Sequence, residues 1–407
     1  MVSAKVLYGS PENYYQLVET LQPGDTLVLQ PGAYTGGLRL HRLQGKEGRP
    51  IIITGESDSN RPVFVARRGQ NTVSILDSSY VTIRNLELDG RGLPVDGVKA
   101  EGHARWAHHI TLENLLILKY NNNQQSVGIS TKCPAWGWVI RKNVIDSAGT
   151  GIYLGDSDGS APFFAGLIEN NSITNTIGYN LQIKHQHSRE YVPGLSDSNG
   201  ETVIRYNRFS KEKNAAEGPM ARPNVLLGHW PVSGFGVNDQ YLVYRNLFYG
   251  NAYEALFQGE GNIALYNNIF VNHHGDAIHI QPHNDVPKRV DIFNNSVVSR
   301  GNGIVIRRRE NDFRFKQYVI GNAIFASIPM KGGEQNSNVT EHYEAAGNYL
   351  ADPYKALEQL DLHPKPGQLI DADQDLSQFH QYQDWDLDFD GRKRQGAFVG
   401  AYIGEIH

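Results

Sequence analysis

The clearest pattern in the chain is a short motif in which an apolar residue, an Asn two or three positions later and a second apolar residue recur. Apolar and polar residues around the motif alternate with a period of two, which indicates β-strands, whereas helical repeats need a period of 3.6. The shortest spacing between motifs is 22 residues, so we expect a coil of about that length with loops inserted in longer repeats. The aligned residues are Asn85, Asn114, Asn143, Asn171, Asn207, Asn246, Asn268, Asn295 and Asn322.

The Asn position predicts a sharp bend between two strands. Asn tolerates left-handed backbone geometry, and its side chain hydrogen-bonds to nearby backbone. In stacked coils these amides can also bond to one another, which satisfies polar groups that the stack buries. Leucine-rich repeats carry a periodic Asn too, but the dense leucine frame that they require is missing here.

A second strand, usually opening after Gly, lies between successive Asn motifs. Each coil therefore contains three strands, and we predict an all-β fold: a single-domain right-handed parallel β-helix of about 10–12 coils with three sheets. The Gly-led strands are 98–101, 128–132, 151–155, 180–184, 224–228, 255–258, 277–281 and 303–307. The loop after this strand varies most in length, so we expect function to be located there.

Both ends of the repeat look capped, as a solenoid requires. Residues 12–21 have helical spacing, and we assign 1–30 to an N-terminal helical cap and first strand. The β-helix with its loops occupies 31–330. The repeat then fades, and we interpret 331–407 as a C-terminal wrap packed on the helix, with a helical piece near 353–360.

Composition narrows the class of protein. The 407 residues are 40% hydrophobic and carry a net charge of −5, so no global charge recruits nucleic acid. No apolar run reaches the roughly 18 residues of a membrane span. The single Cys133 allows no intramolecular disulfide. The first residues lack the apolar stretch of a signal peptide, so we expect a cytoplasmic protein or one whose leader has been removed; a polymeric substrate favours a secreted or periplasmic location.

Two segments carry a family resemblance. The stretch 21–34, Leu-Gln-Pro-Gly-Asp-Thr-Leu-Val-Leu-Gln-Pro-Gly-Ala-Tyr, resembles the opening of many bacterial β-helix carbohydrate enzymes. Residues 388–394 and 400–404 resemble their closing motif. With the Asn repeats, the chain resembles the chondroitinase B/alginate lyase type of polysaccharide lyase in the pectate-lyase-like superfamily. The resemblance implies a lyase acting on an acidic polysaccharide, with a Lys and an Arg on the Gly-led face and a Ca²⁺ ion held by acidic and amide side chains.

β-Elimination on a uronate needs a base for the proton α to the carboxylate, a cation for that carboxylate and an acid for the leaving oxygen. Lys184 is the candidate base if nearby arginines depress its pKa, and its position matches the lysine of the resembled lyases. His187 and His229 titrate near neutral pH and suit either the base or the acid. Arg307 is the candidate for gripping the carboxylate, with Arg222 and Arg189 as alternatives.

Further residues are expected to bind substrate because they lie on the Gly-led strands or in the loops that follow. They are Lys132, Tyr153, His185, Arg189, Arg222, Trp230, Gln258, Glu260, His279 and His283. We place Gln258 in the same outward column as Lys184, and we expect Trp230 and Tyr153 to stack on sugar rings. The acids available for Ca²⁺ are Glu260, Asp156 and Asp158, but no second acid accompanies Glu260 in its column, and the two aspartates also fit a plain loop turn.

Three other functions share these features. A glycoside hydrolase needs two carboxyl groups about 5–9.5 Å apart, for which Asp156, Asp158, Glu254 and Glu260 are the candidates. A C5-epimerase would use the same base and cation as the lyase. A glycan-binding β-helix without activity would need none of these side chains for chemistry.

Overall fold

A computed structural model describes residues 4–192, 200–309 and 312–404. The chain is a right-handed parallel β-helix, which confirms the predicted fold class. A complete coil contributes strands to three faces. A 15-stranded sheet forms face 1, and a 21-stranded sheet contains faces 2 and 3.

The strands of each face are short and pair in parallel with the coils above and below. Face 1 consists of Val6–Gly9, Thr26–Leu29, Ile51–Gly55, Ser78–Arg84, Ala107–Glu113, Ala135–Trp136, Val139–Arg141, Phe163–Phe164, Leu167–Glu169, Glu201–Arg205, Gln240–Tyr244, Ile263–Tyr266, Val290–Phe293, Gln317–Ile320 and Glu334–Asn336. Face 2 follows the Asn turn and consists of Gly32–Tyr34, Pro62–Val65, Glu87–Asp89, Leu116–Leu118, Val144–Asp146, Ser172–Thr174, Arg208–Lys211, Leu247–Asn251, Ile269–Asn272 and Val339–Glu341. Face 3 holds the Gly-led strands Leu38–His41, Val73–Leu76, Val98–Ala100, Val127–Thr131, Thr150–Leu154, Leu181–Ile183, Val225–Leu227, Phe257–Gly259 and Ile278–Ile280. The strands Ser296–Ile306 and Ala323–Lys331 run through faces 2 and 3.

The core fills the interior of the coil because alternate side chains of each strand point inward. On face 3, the residues Ile129, Ile152, Leu181 and Val225 pair with one another in sequence and are fully buried. This inward set leaves the intervening residues of face 3 on the outside.

The Asn ladder runs along the turn between faces 1 and 2. From Asn143 to Asn322, the side-chain Nδ2 of each ladder Asn donates to the Oδ1 of the next ladder Asn at 2.9–3.0 Å. The backbone N–H of the donating Asn bonds to that same Oδ1. Asn338 adds one more rung, which the sequence motif had not included. These amides are buried, so the ladder satisfies polar groups that water cannot reach.

Two details of the predicted turn were wrong. Asn85 and Asn114 lie one residue before the ladder position. In the coil of Asn114 the ladder position is Leu115, whose backbone N–H bonds to Asn143. The left-handed backbone belongs to this preceding position, as in Asn114 with φ 53° and Lys142 with φ 56°, and not to the ladder Asn itself. A bonded amide and a left-handed bend are thus two requirements met by neighbouring residues.

The ends differ in part from the expected caps. The strand Val6–Gly9 begins face 1 before the short helix Tyr14–Val18, so the stack of strands starts ahead of the helical cap. Strands Glu334–Asn336 and Val339–Glu341 continue the stack beyond residue 330. The tail then contains the helix Ala346–Tyr349, the antiparallel pair Leu350–Asp352 and Asp361–Pro364, and 3₁₀ turns at Gly218–Met220 (in a loop), Tyr343–Ala345, Leu357–Gln359 and Ser377–Phe379. A 3₁₀ turn thus replaces the helical piece expected near 353–360.

The tail packs on the outside of faces 1 and 2. Leu362 and Val399 join Val298 and Phe325 in one buried cluster against face 2. Phe379 stacks on Phe293 of face 1 at 4.1 Å. These contacts of the described tail lie on faces 1 and 2 and not on face 3. Among the described residues, no helix has the length and apolar character needed to cross a membrane.

Candidate functional site

One outward column of side chains lies immediately beyond the strands of face 3. The register pairs Ile183 with Leu227, Leu227 with Gly259 and Gly259 with Ile280. The residues that follow these positions therefore stack on successive coils. In chain order the column is Glu101, Lys132, Gly155, Lys184, Gly228, Glu260, Gln281 and Arg307.

The position predicted for Gln258 was wrong. Gln258 pairs with Leu226 and His279, which places it two residues before the column, and Glu260 takes the expected place. The strand begins at Phe257 because this large ring occupies the inward position opposite Val225 and Ile278.

Gly228 separates Lys184 from Glu260 and forms the floor of a slot between them. Adjacent parallel strands lie about 4.8 Å apart, so the two side chains start roughly 10 Å from each other along the helix axis. A Cβ on Gly228 would come within 2.2 Å of the backbone nitrogen of His185. Only glycine fits this position, so no side chain stands between Lys184 and Glu260 in the column.

Lys184 is half-buried and forms no ion pair or side-chain hydrogen bond within the described residues. Burial lowers the pKa of its ammonium group, and the carboxylates of Glu260 and Asp156 oppose that effect. The arginines that we expected to depress this pKa are not the cause; desolvation is. A lysine held in this way has a larger neutral fraction near pH 7 and is a better base.

Glu260 is the buried acid of the slot, with 4% of its surface exposed. Burial raises the pKa of its carboxyl group to about 7, although Oε2 accepts the backbone N–H of Asn284 at 2.9 Å and Lys184 also favours the ionised form. The carboxyl group is therefore a proton donor or acceptor near neutral pH. Burial thus lowers the pKa of Lys184 and raises that of Glu260, so both pKa values move toward neutral pH, the range in which general acids and bases work best.

A cavity of about 320 Å³, the Glu260 cavity, opens beside the slot. Its walls include Tyr179, Arg222, Glu254, Gln258, Glu260, Gln281 and His283. The guanidinium group of Arg222 donates only to the carbonyl oxygens of Pro219 and Ala221 among described residues, so its charge has no carboxylate partner there. It can therefore bind an anionic substrate group next to Glu260.

The other two arginines do not reach this site in the same way. Arg189 is buried, forms an ion pair with Asp239 and lies 3.9 Å above the ring of Phe164, so its charge is already neutralised. Arg307 lies in the column four coils from Lys184, about 19 Å away, and contacts Gln281 at 3.3 Å. The expectation that either one grips the carboxylate beside Lys184 was wrong.

A second cavity of about 340 Å³, the His229 cavity, is lined by His185, His187, Ser188, His229 and Asp285. His229 is 4% exposed, and its Nε2 lies 2.7 Å from the carbonyl oxygen of Val286, so Nε2 carries the proton. Burial lowers the pKa of this imidazole and keeps it neutral. His187 is exposed at the same cavity, and its ring contacts that of His185.

The predicted sugar-stacking role of Trp230 was wrong. Its indole ring is 1% exposed and stacks on Tyr241 at 4.4 Å in the interior. Tyr153 remains at the surface, but the ammonium of Lys132 already lies 3.6 Å from its ring centroid. Burial lowers the pKa of Lys132 to about 8, and Asp156 opposes this from 3.8 Å.

The candidate metal ligands do not come together. No three His, Cys, Asp or Glu side chains cluster in a geometry for a metal among the described residues. Asp158 accepts the N–H and hydroxyl of Ser160, as in an ordinary loop turn, and Asp156 faces Lys132. His279 pairs with Asp276 at 2.8 Å, whereas His283 is exposed at the Glu260 cavity. These residues do not fit a Ca²⁺ cage.

Sequence reasoning missed two parts of the site. The backbone N–H of Asn284, which bonds to Glu260, comes from the next loop and has no side-chain signature. Tyr179, which also lines the Glu260 cavity, immediately precedes a Gly-led strand, and its sequence position is equally typical of a core aromatic residue.

Comparison with known proteins supports the fold. Residues 127–323 match the family described as "Right handed beta helix region". A solved structure of XylC in complex with xylose has a TM-score of 0.59 at 10% identity and covers 98% of both chains. Pectate lyase Pel9A has a TM-score of 0.52 at 12% identity and covers 100% of this chain and 98% of its own. No curated protein matches the sequence. At these identities the two structures establish the β-helix architecture alone.

Proposed function

We propose that this right-handed β-helix protein cleaves a uronic-acid-containing polysaccharide by β-elimination at the slot over Gly228. The observation that carries the proposal is the placement of Lys184 and Glu260 on either side of Gly228 in one outward column. The pectate lyase with the same architecture is consistent with such a substrate. The proposal also places the protein outside the cytoplasm, where polymers of this kind occur, and cell fractionation with an antibody tests that location.

Each group has one role in the proposed reaction. The Lys184 amine takes the proton α to the substrate carboxylate, and Arg222 binds that carboxylate so that negative charge can develop on it. The electron pair of the broken C–H bond forms the new C=C bond as the C–O bond to the leaving sugar breaks. The protonated carboxyl group of Glu260 then gives its proton to the leaving oxygen. The product carries an unsaturated uronate at its new non-reducing end.

The test is ultraviolet absorbance of unsaturated uronates after incubation with alginate, pectate and glycosaminoglycans. We expect Lys184→Ala to lower the rate by about 10²–10⁴-fold, which is the usual contribution of a general base. Lys142→Ala serves as the matched control, because this lysine is 63% exposed and lies at the Asn turn, away from face 3. Absence of unsaturated product on every uronate polymer would refute the proposal.

A glycoside hydrolase is the second candidate, because Glu254 and Glu260 both line the same cavity. In that reaction the protonated form of Glu260 would be the general acid and Glu254 the nucleophile or base. Release of reducing sugar without ultraviolet absorbance, abolished by Glu254→Gln and by Glu260→Gln but retained in Lys184→Ala, would favour hydrolysis over elimination.

A further inference from the structure

A third cavity, of about 680 Å³, lies at the loop edge between faces 3 and 1, and the proposed reaction does not use it. We call it the tryptophan cavity. Its walls include Trp106, His108, Trp136, Phe164, Arg189 and Tyr191. This volume is within the range of small-ligand sites, which is about 300–1,000 Å³.

Aromatic rings on successive coils form the floor. His108 pairs with Trp136, and Trp136 pairs with Phe164, in the outward register of face 1. Their rings stack at centroid distances of 4.4 and 6.0 Å. A continuous aromatic surface is thereby built into the sheet itself and held at the spacing of the strands.

Two further rings are available to a ligand. Trp106 is half-exposed and tilted by 45° against His108, so its ring does not lie flat on the stack of His108, Trp136 and Phe164. Tyr191 is 61% exposed at the same cavity. Faces of Trp and Tyr are apolar, with a polar group at the ring edge, which suits the alternating C–H and hydroxyl surface of a sugar.

The charges of the cavity indicate which sugar it accepts. Arg189 is neutralised by Asp239, and Arg105 is paired with Asp77 at 3.0 Å. Glu190, the remaining charged residue of the wall, forms no ion pair with the described residues. Among the described wall residues a carboxylate would meet no free cation and one nearby acid, so an uncharged sugar is favoured over a uronate.

Position links this cavity to the proposed site. Ser188 lines both the tryptophan cavity and the His229 cavity, and Asn284 of the His229 cavity bonds to Glu260. The three cavities therefore follow one another around the edge of face 3. A glycan bound in the slot can extend a neighbouring sugar into the aromatic floor.

We propose that the tryptophan cavity is a second carbohydrate subsite that binds a neutral pyranose of the glycan cleaved at the slot. The claim that this pyranose belongs to the glycan cleaved at the slot rests on the proposed function. The claim that the cavity binds a neutral pyranose does not. It implies a substrate that contains neutral sugars beside its uronates, as a heteropolymer or as branches.

The test is isothermal titration of the full chain with cellohexaose, xylohexaose, mannohexaose and a galacturonic acid hexamer. We expect at least one neutral hexamer to bind, and Tyr191→Ala to weaken it by about three- to tenfold, the effect of losing one ring contact. Trp106→Ala should weaken it at least as much, and Trp106→Phe should restore part of the affinity. Tyr8→Ala is the matched control, since this tyrosine is 63% exposed on the first strand of face 1.

The outcomes separate the two proposals. Lys184→Ala should leave neutral binding unchanged, and neutral binding without any uronate elimination would refute the proposed reaction but not this subsite. If no neutral hexamer binds, or if all bind equally to wild type and to Tyr191→Ala, the subsite is refuted. Tyr191→Ala weakening the galacturonic acid hexamer more than every neutral one would refute the assignment to an uncharged sugar.

Discussion

Glu260 allows a test of the slot that needs no substrate. Its carboxyl group has a folded-state pKa of about 7 against 4.5 in an exposed chain, chiefly because the side chain is buried. A shift of roughly 2.5 pH units corresponds to about 3 kcal/mol at 1.36 kcal/mol per unit. Because the folded pKa is raised, the folded protein holds this proton more tightly than the unfolded chain does.

The sign of the effect follows directly. Below about pH 4.5 the Glu260 carboxyl group is protonated in both the folded and the unfolded state, so its ionisation does not change the free energy of unfolding. Between about pH 4.5 and 7 the unfolded chain gains from ionisation while the folded protein does not, so stability falls, and above about pH 7 the full cost of about 3 kcal/mol is present. Glu260→Gln keeps an acceptor for the Asn284 N–H and removes the ionisation.

Thermal or urea unfolding at pH 4.5, 6 and 8 measures this difference. We expect Glu260→Gln to match wild type at pH 4.5 and to be more stable by about 3 kcal/mol at pH 8. Glu217→Gln, at an exposed position, should track wild type throughout. A Glu260→Gln protein that differs from wild type by the same amount at all three pH values would refute the raised pKa and the buried acid on which the slot depends.

Three other substitutions test the frame and the site. Asn207→Ala leaves a buried N–H and a buried carbonyl of neighbouring coils unbonded, and we expect a loss of about 2–6 kcal/mol in urea unfolding; a loss below 1 kcal/mol would contradict the ladder's role. Arg189→Met leaves Asp239 buried without its cation, which should cost about 3–5 kcal/mol by the same measurement, and the double variant with Asp239→Leu should recover most of it. Gly228→Ala pushes on the backbone next to Lys184, so the rate of unsaturated-uronate formation should fall at least about tenfold with the circular dichroism unchanged; full activity would place the chemistry elsewhere.

The sequence was sufficient for the fold because the constraint on it is local and repeated. A bonded amide in the turn and an alternating strand occur once per coil, so an error at Asn85 or Asn114 changes one rung and not the architecture. The same pattern also placed the candidates Lys184 and Glu260 on the Gly-led strands or in the loops that follow them.

The rest depended on distances that no periodicity encodes. Gln258 was misplaced because three consecutive apolar residues precede it, and packing of Phe257 alone decides the register. Arg189 and Trp230 stand in loop segments that read as exposed, yet one is neutralised by an aspartate 50 positions away and the other stacks on Tyr241. Loop residues of this kind can be assigned only when their partners are known.

The ladder has a further consequence for how such a protein can change. The interval from Asn207 to Asn246 is 39 residues and that from Asn246 to Asn268 is 22, yet each adds one rung of the same height. Inserted residues therefore alter the outline of a loop without displacing the coils above or below it. The spacing of the coils is therefore fixed, whereas the loop of each coil can be exchanged. A new specificity can arise in the loop of one coil while the other coils stay in register.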